Sequence, residues 1–114
     1  PVGDYQGYVN YLKCCLIALN VSLTGSGKRH HVKWRVLEAA FADCALLEMK
    51  DSPASQWFPD GSFLTYKTAS DAKRIIMNMR ASEISPIAAR FSDYARQHYT
   101  PRQIFTGILE ALPK

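Results

Sequence analysis

The stretch His31 to Lys50, HVKWRVLEAAFADCALLEMK, constrains this chain more than any other. At about 100° per residue, Trp34, Val36, Leu37, Ala40, Phe41, Cys44 and Leu47 fall in one broad arc, with Arg35, Glu38 and Asp43 opposite. The spacing predicts one long buried helix. Leu46 and Met49 lie off the arc, so its C-terminal half is expected to meet a second neighbour. Such a helix needs other amphipathic elements around it, and the chain supplies them on both sides.

On the N-terminal side, Tyr5, Tyr8, Val9, Leu12, Cys15, Leu16 and Leu19 recur at three and four residues, and Asp4 can cap the helix they predict. Cys15 falls in that stripe and Cys14 beside it, which suits small core hydrophobes rather than reactive thiols. On the C-terminal side, Gln56 to Phe58 and Phe63 to Tyr66 flank Pro59-Asp60-Gly61, a turn sequence that predicts a short hairpin with an aromatic lid. Thr68 or Ser70 can open a third helix with Ala72, Ile75, Ile76 and Met79 inward. Ser85-Pro86 predicts the start of a fourth, with Ile87, Phe91, Tyr94, Ala95 and His98 on its apolar face. Thr100-Pro101-Arg102-Gln103 predicts a capping box, and Ile104, Phe105, Ile108, Leu109 and Leu112 an inward face for the last helix. The fold expected is mainly α: a compact bundle of about five helices with one short β-hairpin between the second and third, residues 1–114 forming a single domain.

At 114 residues and 47% hydrophobic, the chain is long enough for a core without disulfide or metal staples. No apolar run approaches the roughly 18 residues of a membrane span, and no charged-then-apolar leader opens the sequence, so no membrane partner is expected. Three cysteines cannot all pair, and adjacent Cys14 and Cys15 bridge each other poorly, which points to a reducing, cytoplasmic setting. The Asn20-Val21-Ser22 sequon is then accidental.

Charge is segregated along the chain. Tyr5 to Leu37 holds five Lys or Arg and no acid, whereas Glu38 to Tyr66 holds five acids against Lys50 alone. The basic loop 22–33 is the sharpest feature: six of the eight residues Lys28, Arg29, His30, His31, Val32, Lys33, Trp34 and Arg35 are Lys, Arg or His. Cations in the first turn of a helix oppose its dipole, and a function is one reason to place them there. A Gly25-Ser26-Gly27 segment with free amides, followed by fixed cations, suits phosphate oxygens. Trp34 could stack on a base, although its place in the stripe favours burial. The expected ligand is a nucleic acid, RNA rather than DNA, held by Lys28, Arg29, His30, His31, Lys33 and Arg35 with help from Arg96 and Arg102, mainly through its backbone. The alternative is a protein-interaction or self-associating assembly subunit, with Leu46, Met49 and the hairpin aromatics as an exposed patch.

Other chemistries lack their residues. Thr24-Gly25-Ser26-Gly27-Lys28 fails as a nucleotide P-loop, because Ser22 stands where its first glycine belongs and Arg29 replaces the magnesium-binding hydroxyl. His30 and His31 are adjacent and His98 is distant, with no CxxC or HExxH, so neither a metal nor another cofactor is expected. The scattered carboxylates suggest no acid and base pair, and no enzyme is expected. Tyr94 to Ile104 has the outline of a helix-turn-helix corner, which a plain helical hairpin explains as well.

A wider pattern joins several of these pieces. A cysteine-bearing apolar helix, Ser52-Pro53, Trp57, Asp60-Gly61, Thr65-Tyr66, Phe91-Ser92-Asp93 and Tyr99-Thr100-Pro101-Arg102 follow one another in order. That order resembles the core of flexuous filamentous plant-virus coat proteins of the potyvirus type, over about Trp34 to Arg102. The resemblance implies a helical RNA-coating protein that polymerises, with Arg102 and Arg90 toward the RNA groove.

Overall fold

A computed structural model describes residues 5–23 and 34–111. In chain order these form α1 (Tyr5–Lys13), β1 (Ile17–Leu19), α2 (Trp34–Phe41), β2 (Ala45–Met49), a 3-10 turn (Pro53–Gln56), β3 (Leu64–Tyr66), α3 (Ala69–Asn78), α4 (Ala81–His98) and α5 (Pro101–Ala111). The protein is helix-rich, as expected. Its strands are not a hairpin: they form a three-stranded sheet of order β1-β2-β3 in which both neighbouring pairs are parallel.

The long central helix is in fact a helix and a strand. α2 stops at Phe41 because Asp43 takes a left-handed φ of 60°. The Asp43 amide then donates to the Ala40 carbonyl and the Cys44 amide to Ala39, at 3.3 and 3.0 Å, the paired bonds of a Schellman cap. Beyond it, Ala45, Leu46, Leu47 and Glu48 are buried on both faces, and a short run buried all round is equally compatible with a central parallel strand. In the strand Leu46 faces the core with α2 and α4, while Leu47 and Met49 share the opposite face.

The first helix is likewise shorter than predicted. α1 ends at Lys13, closed by bonds from Cys14 to Tyr11 and Cys15 to Leu12, and Ile17, Ala18 and Leu19 pair with Ala45, Leu46 and Leu47 instead. Sheet partners far along the chain outweigh helical periodicity here. Cys14 is exposed and Cys44 buried, all three thiols being free, so only part of the cysteine expectation holds. The turn at Pro59 is present, with Ser62 N–H bonded to Pro59 O and Gly61 at φ 82°. The segment before it is no strand: Phe58 is buried against Phe91 and Tyr94, with ring centroids at 4.6 and 5.7 Å. Residues after the turn therefore pair with β2.

Thr68 caps α3 as the sequence predicts, accepting from Asp71 N–H at 3.2 Å, but Ile76 is 46% exposed rather than inward. α4 starts four residues before Ser85, where the Glu83 carboxylate accepts the Arg80 amide at 3.0 Å. Pro86 consequently sits inside the helix. Ile84, Ala88, Phe91, Ser92 and Ala95 form its buried stripe, and His98 is exposed. Val36, Ala39, Ala40, Leu46, Phe58 and Phe91 meet in the main core, between α2, β2 and α4.

Candidate interaction surfaces

Of the residues expected to bind nucleic acid, Lys28, Arg29, His30, His31 and Lys33 lie outside the described residues. Arg35 is exposed in the first turn of α2 and Arg102 in the first turn of α5. Arg96 is also exposed, and its Nη2 lies 2.9 Å from Asp43 Oδ1. That pairing holds the α4 side chain against the cap of α2 and leaves Arg96 less available to a phosphate.

Trp34 is the clearest departure from the helical-arc expectation. Its side chain is 65% exposed instead of buried. It lines a groove of about 540 Å³ between α2 and α5, together with Leu37, Phe41, Ile104, Phe105 and Ile108. Pro101 lies in the same groove, so the exposed arginines next in sequence, Arg35 and Arg102, belong to helix starts that share one surface. Glu38 also lines it, and the Tyr8 hydroxyl approaches Glu38 Oε1 at 3.5 Å.

Only the start of α5 is anchored. Thr100 and Gln103 make the predicted reciprocal cap, at 3.0 Å from Thr100 N–H to Gln103 Oε1 and 3.3 Å in return, while Gln103 Nε2 donates to the Gln97 carbonyl at 2.7 Å. The Tyr99 hydroxyl donates to Trp57 O, and its ring sits 5.2 Å from Phe58. Burial, followed by the neighbouring Tyr94, pushes the Tyr99 phenol above its ordinary range. Past this corner no residue of α5 is buried, and Phe105, Ile108 and Leu109 are 62%, 55% and 52% exposed. Ile104, Phe105, Ile108 and Leu109 of the predicted inward face join no core cluster, and Leu112 lies outside the described residues.

The expected patch of Leu46, Met49 and hairpin aromatics is broken up: of its members Trp57, 46% exposed, still reaches the surface. Leu46 and Phe58 are buried, Tyr66 nearly so, and Met49 is half-buried. No family model, curated protein or solved structure matches this chain.

A polar cluster escaped sequence reasoning altogether. At the carboxyl end of the sheet, Asn20 Nδ2 donates to Glu48 Oε2 and the Met49 amide to Glu48 Oε1, both at 2.8 Å. The Tyr66 hydroxyl donates to Asn20 O at 2.7 Å. Asn20 and Glu48 are fully buried, and Asn20 Oδ1 finds no hydrogen-bond partner among the described residues. Burial first, then the Glu48 carboxylate, raises the Tyr66 phenol. The cluster ties the ends of all three strands together. Its members are scattered over 46 positions, so no local motif announces it. Among the described residues no three His, Cys, Asp or Glu side chains converge as metal ligands.

Proposed function

We propose that this chain is an assembly subunit, without a catalytic step, that self-associates through the face formed by α2 and α5. The observation that carries this reading is α5 itself: an amphipathic helix with no buried residue, beside a Trp34 ring that is 65% exposed. A contiguous apolar face of this kind marks an interface, and a two-fold pairing lets the same patch serve both copies. Sedimentation velocity from about 1 to about 200 µM tests it, since self-association is concentration-dependent. The wild type is expected to sediment as a dimer or larger species, and Phe105→Glu with Ile108→Glu as a monomer with unchanged circular dichroism. A wild type that stays monomeric throughout overturns the proposal.

A second reading keeps the nucleic-acid expectation. It is favoured by the exposure of Trp34 and Arg35 directly after the Lys28 to Lys33 run, an aromatic ring and cations suited to a single strand. The coat-protein resemblance points the same way, toward RNA. Anisotropy of labelled single-stranded RNA at about 50 and 200 mM salt tests this, because phosphate contacts weaken steeply over that range. Changing Lys28, Arg29, Lys33 and Arg35 to Ala is expected to abolish binding. No binding at low salt removes this reading and leaves the first intact.

A further inference from the structure

A second apolar groove, also about 540 Å³, lies away from α5, between α3 and the carboxyl end of β1. Its origin is an incomplete layer. Parallel sheets need helices over both faces, because their side chains are apolar on each. On the face carrying Ile17, Leu47, Leu64 and Tyr66, α3 packs through Ala72 and Ile75, while Ile84 and Ala88 of α4 reach Ala45 and Ile17. Leu19 and Val21 remain 44% and 48% exposed, facing Ile76 and Met77 of α3 at 46% and 72%.

Ordinary strand and helix spacings leave room for one helix beside α3. Strands lie about 4.8 Å apart, so β1 is roughly 9.6 Å from β3, over which α3 packs. Helices pack side by side at about 8–10 Å. A helix laid beside α3 would therefore sit over Leu19 and Val21 at the carboxyl end of β1, beyond Ile17, which α4 already covers.

The groove also carries a sign. Lys67 and Lys73 are exposed at its lining, which contains no acid. Two carboxylates adjacent in sequence to lining residues are already hydrogen-bonded: Asp71 accepts from Lys67 N–H and from Arg74 Nη2 at 3.2 and 3.3 Å, and Glu48 from Asn20 Nδ2.

We propose that this groove is the docking site for an acidic amphipathic helix of a partner protein, its apolar stripe covering Leu19, Val21, Ile76 and Met77 and its flanking carboxylates meeting Lys67 and Lys73. The docked helix buries the part of the sheet that the chain's own helices leave open, and the lysines select the sign of the partner. This site is separate from the α2–α5 face, so either can fail without the other.

The test is a titration of the 15N-labelled protein, followed residue by residue, with three synthetic peptides of about 18 residues, long enough for five helical turns. The first places leucines at helical spacing with glutamates on both flanks. The second replaces every glutamate by lysine, and the third permutes the first so that no stripe remains. Saturable binding of the first peptide is expected, about tenfold tighter than the second, with shifts centred on Val21, Ile76 and Met77. Met77→Glu should abolish it, and Lys67→Glu with Lys73→Glu should reverse the charge preference. These side chains are exposed, so the variants are expected to fold. Equal binding of all three peptides, no binding of the first, or shifts confined to α5 overturns the proposal. So does dissociation of a self-associated form by Met77→Glu, which assigns the groove to a second copy, or occupancy by dodecanoate alone.

Discussion

Glu48 is the residue on which the carboxyl end of the sheet turns. A fully buried carboxyl is costly unless its oxygens are paired, and here one takes Asn20 Nδ2 and the other the Met49 amide. Glu48→Ala leaves both donors without an acceptor, and an unsatisfied buried donor costs about 1–3 kcal/mol. Urea denaturation at neutral pH is expected to show a loss of roughly 3 kcal/mol for Glu48→Ala. Glu48→Gln keeps an acceptor oxygen, removes the buried charge, and offers an amide that a turned Asn20 Oδ1 can accept. It is expected to stay within about 1 kcal/mol of wild type. A Gln variant as damaged as the Ala variant would show that the charge itself is required.

Among the elements, α4 carries an avoidable cost. Its first turn is set by Arg80 and Glu83, so Pro86 stands at the sixth helical position, where its ring nitrogen cannot donate to the Ser82 carbonyl. The Pro86 side chain is exposed and makes no core contact that a substitution would remove. Pro86→Ala is therefore expected to stabilise the protein by about 1–3 kcal/mol, visible as a higher Tm. A fall in Tm would mean that α4 is bent at this point in a way its packing needs. The same element explains a misread boundary. Ser-Pro is a strong helix start in isolation, but Ile84 packs against Ala45 of the sheet and extends the helix backward past it.

At the scale of the whole molecule, the main core couples global stability to alkaline pH. Cys44 is fully buried within it and donates from Sγ to the Leu12 carbonyl at 2.7 Å. Burial, then Cys15 and Asp43, pushes its thiol from 9.0 up to about 11. The folded state thus holds this proton more tightly than the unfolded chain does. Its contribution is complete below pH 9.0 and is lost as pH rises toward about 11. Urea midpoints are expected to fall across that window by the equivalent of roughly 2–3 kcal/mol from this group, with Tyr66 and Tyr99 adding in the same direction. Cys44→Ala should flatten the thiol part of the slope. An unchanged slope in that variant would locate the titration elsewhere.

Sequence alone determined what local chemistry can determine. The Thr68 and Thr100 caps, the turn at Pro59, the helix-rich content and the burial of Phe91 and Ala95 all follow from residue type and spacing over a few positions. The basic run before Trp34 is equally plain in the chain, though the groove that Trp34 shares with α5 is not. Tertiary structure decided the rest. It turned Ala45–Met49 into a strand, because an apolar run buried on every side carries no period that separates helix from sheet. It made the strands parallel, because pairing partners such as Ile17 and Ala45 or Leu47 and Leu64 are far apart in sequence and leave no local trace. It also left the stripe of α5 uncovered: periodicity reports that a face is apolar, and only the packed fold decides whether this chain or another molecule covers it.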